Sequence, residues 1–123
     1  MTRLLAFITT HWVPATLFTL ATITTLSLWP LESLPTVPGS DKIHHFIAYA
    51  ALMLPTALRM PKHWLLIGLF FIIWSGAIEL IQPYVNRYGE WLDLLANVTG
   101  LLSGLIIARL IHSMFSSNTK RFC

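Results

Sequence analysis

Cysteine is nearly missing from this chain: Cys123, the last of 123 residues, is the single one. One thiol excludes an internal disulfide framework and a cysteine-built zinc site. Charge is scarce too. Asp, Glu, Lys and Arg make up 11% of the residues and apolar types 55%, whereas a soluble domain is about 25% charged. A small chain has much surface for its volume and needs more polar residues, not fewer, to stay in water. A water-soluble monomer is therefore not expected, and the apolar content excludes disorder. Acids are fewer than bases, 5 against 8, for a formal charge of +3. The bases are scattered near the ends of apolar runs, which points to orientation in a membrane and away from nucleic acid.

What the chain does have is long apolar runs. A spanning helix needs about 20 mostly apolar residues to cross about 30 Å of hydrocarbon. Four windows qualify, at about 4–29, 42–58, 64–82 and 91–112. They are too long, and too free of period-2 alternation, for strands of a membrane barrel. The first is rich in threonine, whose hydroxyl is satisfied by a carbonyl one turn back, and Pro14 predicts a kink inside it. Its thin basic start and the lack of a small-residue cleavage signal mark it as a retained helix. Pro55 lies near the end of the second window, and Pro83 stops the third. Short connections predict antiparallel neighbours. The expectation is one all-α domain over 1–123: an integral membrane four-helix antiparallel bundle.

Charge sets its orientation. With four spans, one side of the membrane receives Arg3, Arg59, Lys62, Arg109, Lys120 and Arg121 and no acid. The other receives Lys42 and Arg87 with every acid: Glu32, Asp41, Glu79, Glu90 and Asp93. By the positive-inside rule both termini are expected in the cytoplasm.

The costly residues then fall at the outer ends of three helices. Asp41, Lys42, His45 and Tyr49 open the second; Glu79 and Gln82 close the third; Arg87 lies in the loop; Asp93 and Asn97 open the fourth. Spacings of three and four put each set on one helix face. Glu79 is the most informative, because an acid at the bilayer centre costs about 2.5–3.5 kcal/mol; Lys42, His45 and Arg87 are its expected partners. Gly100, Gly104 and Ala108 continue the Asn97 face as a small-residue stripe for close helix packing. Each residue also has a plain structural use: Asp41 as a helix N-cap, Asp93 as a charge complementing the helix dipole, and Trp29, Trp64 and Trp91 as interfacial anchors. Taken together they predict an outward-facing polar pocket.

The same residues carry a family resemblance. The segment Asp41-Lys42-Ile43-His44-His45-Phe46-Ile47-Ala48-Tyr49 resembles the D-K-x-x-H-F-x-x-Y block of the VanZ-like family. Glu79 to Gln82 resembles its E-x-x-Q, and Arg87 followed by Asp93-Leu94-Leu95-Ala96-Asn97-Val98-Thr99-Gly100 resembles its R…D-x-x-A-N-x-x-G. Val85-Asn86 stand where the family often has Pro-Gly before the Arg. The resemblance implies a small multi-spanning bacterial membrane protein. The founding type is associated with resistance to the glycopeptide teicoplanin, which acts at the cell wall.

Two function classes follow. The first is a non-catalytic, accessory protein of the bacterial cell envelope in the inner membrane. Its pocket binds a lipid-linked envelope precursor or a lipoglycopeptide, with Arg87 and Lys42 on phosphate or carboxylate. The alternative is a membrane-embedded hydrolase or transferase using Glu79, Asp93 and His45 in acid–base chemistry. No activated nucleophile supports the second, since Ser103 sits mid-helix. Membrane lipids, and a second copy or a larger membrane protein, are the expected partners; no cofactor and no resident metal are expected.

Overall fold

The computed structural model describes residues 2–29, 41–85 and 91–121, with the backbone alone at Thr2, Asp41 and 116–121. Among the described residues the regular structure is all helical: α1 (Thr2–Thr10), α2 (Trp12–Leu28), α3 (Asp41–Arg59), α4 (Trp64–Ile81), a 3₁₀ turn at Gln82–Val85, and α5 (Trp91–Arg121).

The first apolar window is not one straight rod. α1 and α2 meet at 75° across His11. Pro14 has no N–H for the carbonyl of Thr10 and its ring crowds that carbonyl, so the ladder gives way one turn upstream of the proline. Intact helical bonds flank the break, from His11 N to Phe7 O at 2.9 Å and from Ala15 N to His11 O at 3.0 Å. The threonines behave as expected: Thr19, Thr22 and Thr24 each donate to the carbonyl four residues back, all at 2.8 Å. At the third window, α4 ends at Ile81 and Gln82 passes into the turn holding Pro83.

Trp64–Val85 and Trp91–Phe115 are long and apolar enough to cross a membrane, and the bent α1–α2 pair makes a third if it is one span. The second expected span, 42–58, is not among them. α3 opens with Asp41, Lys42, His44 and His45, and these lower its apolarity. One face of it is buried, with Tyr49, Leu52, Met53, Thr56 and Ala57, while Ile43 and Ile47 are exposed on another.

The closest pairing is between helices that are not consecutive in the chain. α3 packs most extensively against α5, and the two run parallel, since Lys42 faces Asp93 while Ala50 faces Gly104. The glycines explain it. A Cβ at Gly100 would run into the carbonyl oxygen of Phe46, and one at Gly104 would lie 2.5 Å from that of Ala50. The bare backbone lets α3 lie directly on α5, with Ala108 buried further along the stripe. This face is filled within the chain and is not open to a second copy. Ile23, Leu52, Met53, Phe71 and Leu101 complete the core.

Two links fix the ends. Gln82 Nε2 donates to the carbonyl of Ser27 at 3.1 Å, bringing the end of α2 to the end of α4. The Arg109 guanidinium lies 5.8 Å from the Trp64 ring centre, bringing the far part of α5 to the start of α4. One end of the molecule therefore holds the starts of α3 and α5 and the end of α4: the polar end. The other, the basic end, holds α1, the turn 60–63 and Arg109.

In that turn Met60 has φ 50°, the left-handed region, while its N–H bonds Thr56 O at 2.8 Å. A side chain there costs about 1–2 kcal/mol relative to glycine. Met60→Gly is expected to stabilise the protein by up to about 1 kcal/mol after the entropy of the added glycine, read as a rise in unfolding midpoint in micelles. An unchanged or lowered midpoint would show that the Met60 side chain supplies compensating contacts.

Candidate functional site

The site grows from the parallel α3–α5 contact. Because the two backbones touch at Phe46 and Gly100, the residues that precede them on each helix, Lys42 and His45 on α3 and Asp93 and Asn97 on α5, are brought face to face. Asp93 is in the first turn of α5, where the helix dipole favours an anion. Its carboxylate is buried, with Lys42 Nζ 3.7 Å from Oδ1 and His45 Nε2 3.8 Å from Oδ2. Burying a carboxylate is expensive unless it is paired, and here a cation, a ring nitrogen and a dipole act on one group.

The contacts continue inward. His45 Nδ1 donates to Asn97 Oδ1 at 3.0 Å, and Asn97 Nδ2 donates to Ser75 Oγ at 2.6 Å. Ser75 and Glu79 both lie within electrostatic reach of the Tyr49 hydroxyl. Ser75, Glu79, Asn97 and Tyr49 are all buried. The result is a polar path from Lys42, whose side chain is 45% exposed, through Asp93, His45, Asn97 and Ser75 to Tyr49.

The expected site residues thus divide. Lys42, His45, Tyr49, Glu79, Asp93 and Asn97 come together from three helices. Gln82 is buried, but its hydrogen bond goes to α2, and its Oε1 has no hydrogen-bond partner among the described residues. Arg87 and the side chain of Asp41 lie outside the described residues. Ser75, at the centre of the path, was not among the expected residues. Its signal was its place four residues before Glu79 and seven before Gln82, on one face of an otherwise apolar helix. Trp74 is a second omission: its Nε1 donates to Thr24 Oγ1 at 2.9 Å and joins α4 to α2. Among the described residues no group of three or more His, Cys, Asp and Glu is disposed to hold a metal ion.

The arrangement holds groups in place more than it frees them. Both nitrogens of His45 face acceptors, one on Asn97 and one on Asp93. The Ser75 hydroxyl accepts from Asn97 Nδ2. At the exposed end a lysine is steadied by a buried carboxylate, a combination that pre-organises a cation for an incoming phosphate or carboxylate.

Comparison with known proteins gives one family. A family model described as VanZ/LLP1 matches residues 3–112. No curated protein and no solved structure gives a significant match.

Proposed function

Because the chain belongs to the VanZ/LLP1 family, we propose that this membrane protein is a multi-pass component of the bacterial cytoplasmic membrane with both termini inside. Its spans fall within 4–29, 42–58, 64–82 and 91–112, and its polar end faces outward. The charge split supports this orientation: Arg3, Arg59, Lys62 and Arg109 are exposed, and all belong to the basic end. Its role is accessory and non-catalytic. The rim around Lys42, together with Arg87, receives the anionic headgroup of a lipid-linked envelope precursor, and a lipoglycopeptide reaching the outer leaflet meets the same rim.

The observation that carries this reading is Lys42 itself: half exposed at the mouth of a path that is otherwise buried, and backed by Asp93 at 3.7 Å. Catalysis has less support, because His45 and Ser75 are both committed to other groups. The test is binding of a polyprenyl-pyrophosphate-linked sugar to the protein in nanodiscs. A charge-assisted hydrogen bond is worth about 1.5–3 kcal/mol. Lys42→Gln and Arg87→Gln are therefore each expected to weaken binding by about tenfold or more at equal protein abundance. A double variant that binds as well as the wild type would overturn the proposal, and so would a wild type that does not bind the probe.

A further inference from the structure

We propose that α1 is a surface helix and not the start of a span, and that with Arg59 and Lys62 it forms a docking surface for the anionic phospholipid headgroups of the leaflet at the basic end. The inference rests on the reading of the chain as membrane-embedded; the topology proposed above only names that leaflet as the cytoplasmic one.

The bend comes first. α1 and α2 meet at 75°, so with α2 near the bilayer normal α1 lies close to the membrane plane. α2 has 17 residues, about 26 Å of helix, which nearly covers about 30 Å of hydrocarbon without help from α1. Trp12, its first residue, then falls at the interface, where tryptophan is favoured.

The faces of α1 agree with that placement. Leu5, Ile8 and Thr9 are partly covered, and the helix packs against α3. The remaining surface divides along its length. Leu4 and Phe7, 59% and 62% exposed, lie on one flank. Arg3, Ala6 and Thr10, all exposed, lie on the other. A short helix with an apolar flank toward acyl chains and a polar flank toward water is built to lie in an interface.

Charge names the occupant. α3 ends at Arg59 and the following turn carries Lys62, both exposed beside α1's end of the molecule. The described acids Glu79 and Asp93 belong to the opposite end. A basic residue near a membrane surface is attracted to anionic headgroups, and Arg3, Arg59 and Lys62 are all exposed at this end of the molecule, with no described acid there.

The experiment uses the full chain with Cys123→Ser, spin-labelled singly at residues 4, 6, 7 and 10 and reconstituted in equal parts phosphatidylglycerol and phosphatidylcholine. Labels at 4 and 7 are expected in the acyl region at similar depth, and labels at 6 and 10 at headgroup level. Phosphatidylglycerol retained after mild extraction is expected to be enriched at least threefold. The triple variant Arg3→Gln, Arg59→Gln, Lys62→Gln is expected to return it to parity. Labels that fall on a line of steadily increasing depth from 4 to 10 would overturn the surface helix. Enrichment unchanged in the triple variant would overturn the headgroup surface. The topology is read separately, from an impermeant maleimide on native Cys123 in right-side-out vesicles. Labelling there, together with interfacial depths and lost enrichment in the triple variant, would uphold the surface and move it to the outer leaflet.

Discussion

Gly104→Ala is expected to destabilise the protein by about 3 kcal/mol, the upper range for adding a methyl group to a packed site. The added Cβ would meet the Ala50 carbonyl oxygen at 2.5 Å, the Ala50 carbonyl carbon at 3.2 Å and the Met53 Cβ at 3.2 Å. Two of these are backbone atoms, and no rotamer change removes them. Relief requires α3 to move away from α5, which would loosen the longest contact in the fold and draw His45 from Asn97. Gly100→Ala would meet the backbone of Phe46 and Ala50 in the same way. Gly76 is the control: nothing lies within 4 Å of a Cβ placed there, so Gly76→Ala is expected to be neutral or to gain up to about 1 kcal/mol from helix propensity. Unfolding in mixed micelles reads all three. Equal stability of the Gly104 and Gly76 variants would mean that the α3–α5 contact is not what holds the bundle.

The legibility of this architecture in the sequence follows from what each signal encodes. Spacing shows which residues share a helix face, so the stripe of Gly100, Gly104 and Ala108 and its continuity with Asn97 could be read directly. Spacing does not say which helix the face meets. Short loops argued for antiparallel neighbours, but a glycine stripe accepts any backbone, and the one that fits is the parallel α3. Hydropathy is similarly one-sided. It marks α4 and α5, which present apolar surface outward, while the polar first turn of α3 lowers that helix's apolarity. Pro14 announced a disturbance but not its size, because the 75° bend depends on how α1 settles against α3. The polar residues were found through their cost in a membrane. Ser75 escaped because a hydroxyl in a helix satisfies itself on its own backbone at little cost, and only the position of Asn97 gives it a partner across the bundle.

Asn97→Ala is expected to cost about 2–4 kcal/mol, because it removes two hydrogen bonds and strands a partner on each side. Asn97 takes a proton from His45 Nδ1 at 3.0 Å and gives one to Ser75 Oγ at 2.6 Å, and both partners would be left in a site with little access to water. Ser75→Ala alone removes one of these bonds and is expected to cost less. The double variant is expected to cost less than the sum of the two, by about 1–2 kcal/mol, since the shared bond is lost only once. A further variant separates fold from function. Joint replacement of His45 and Asn97 by Leu and of Ser75 by Ala removes the His45–Asn97–Ser75 hydrogen bonds together and leaves Asp93 still facing Lys42, and buried polar networks are often matched in stability by apolar packing of similar volume. The triple variant is therefore expected to recover to within about 1 kcal/mol of the wild type while losing the pyrophosphate probe. Recovery of stability with binding intact would make the path a packing device and confine recognition to Lys42 and Arg87. Failure to recover would make it a structural lock, needed to bring α3, α4 and α5 together before anything can bind.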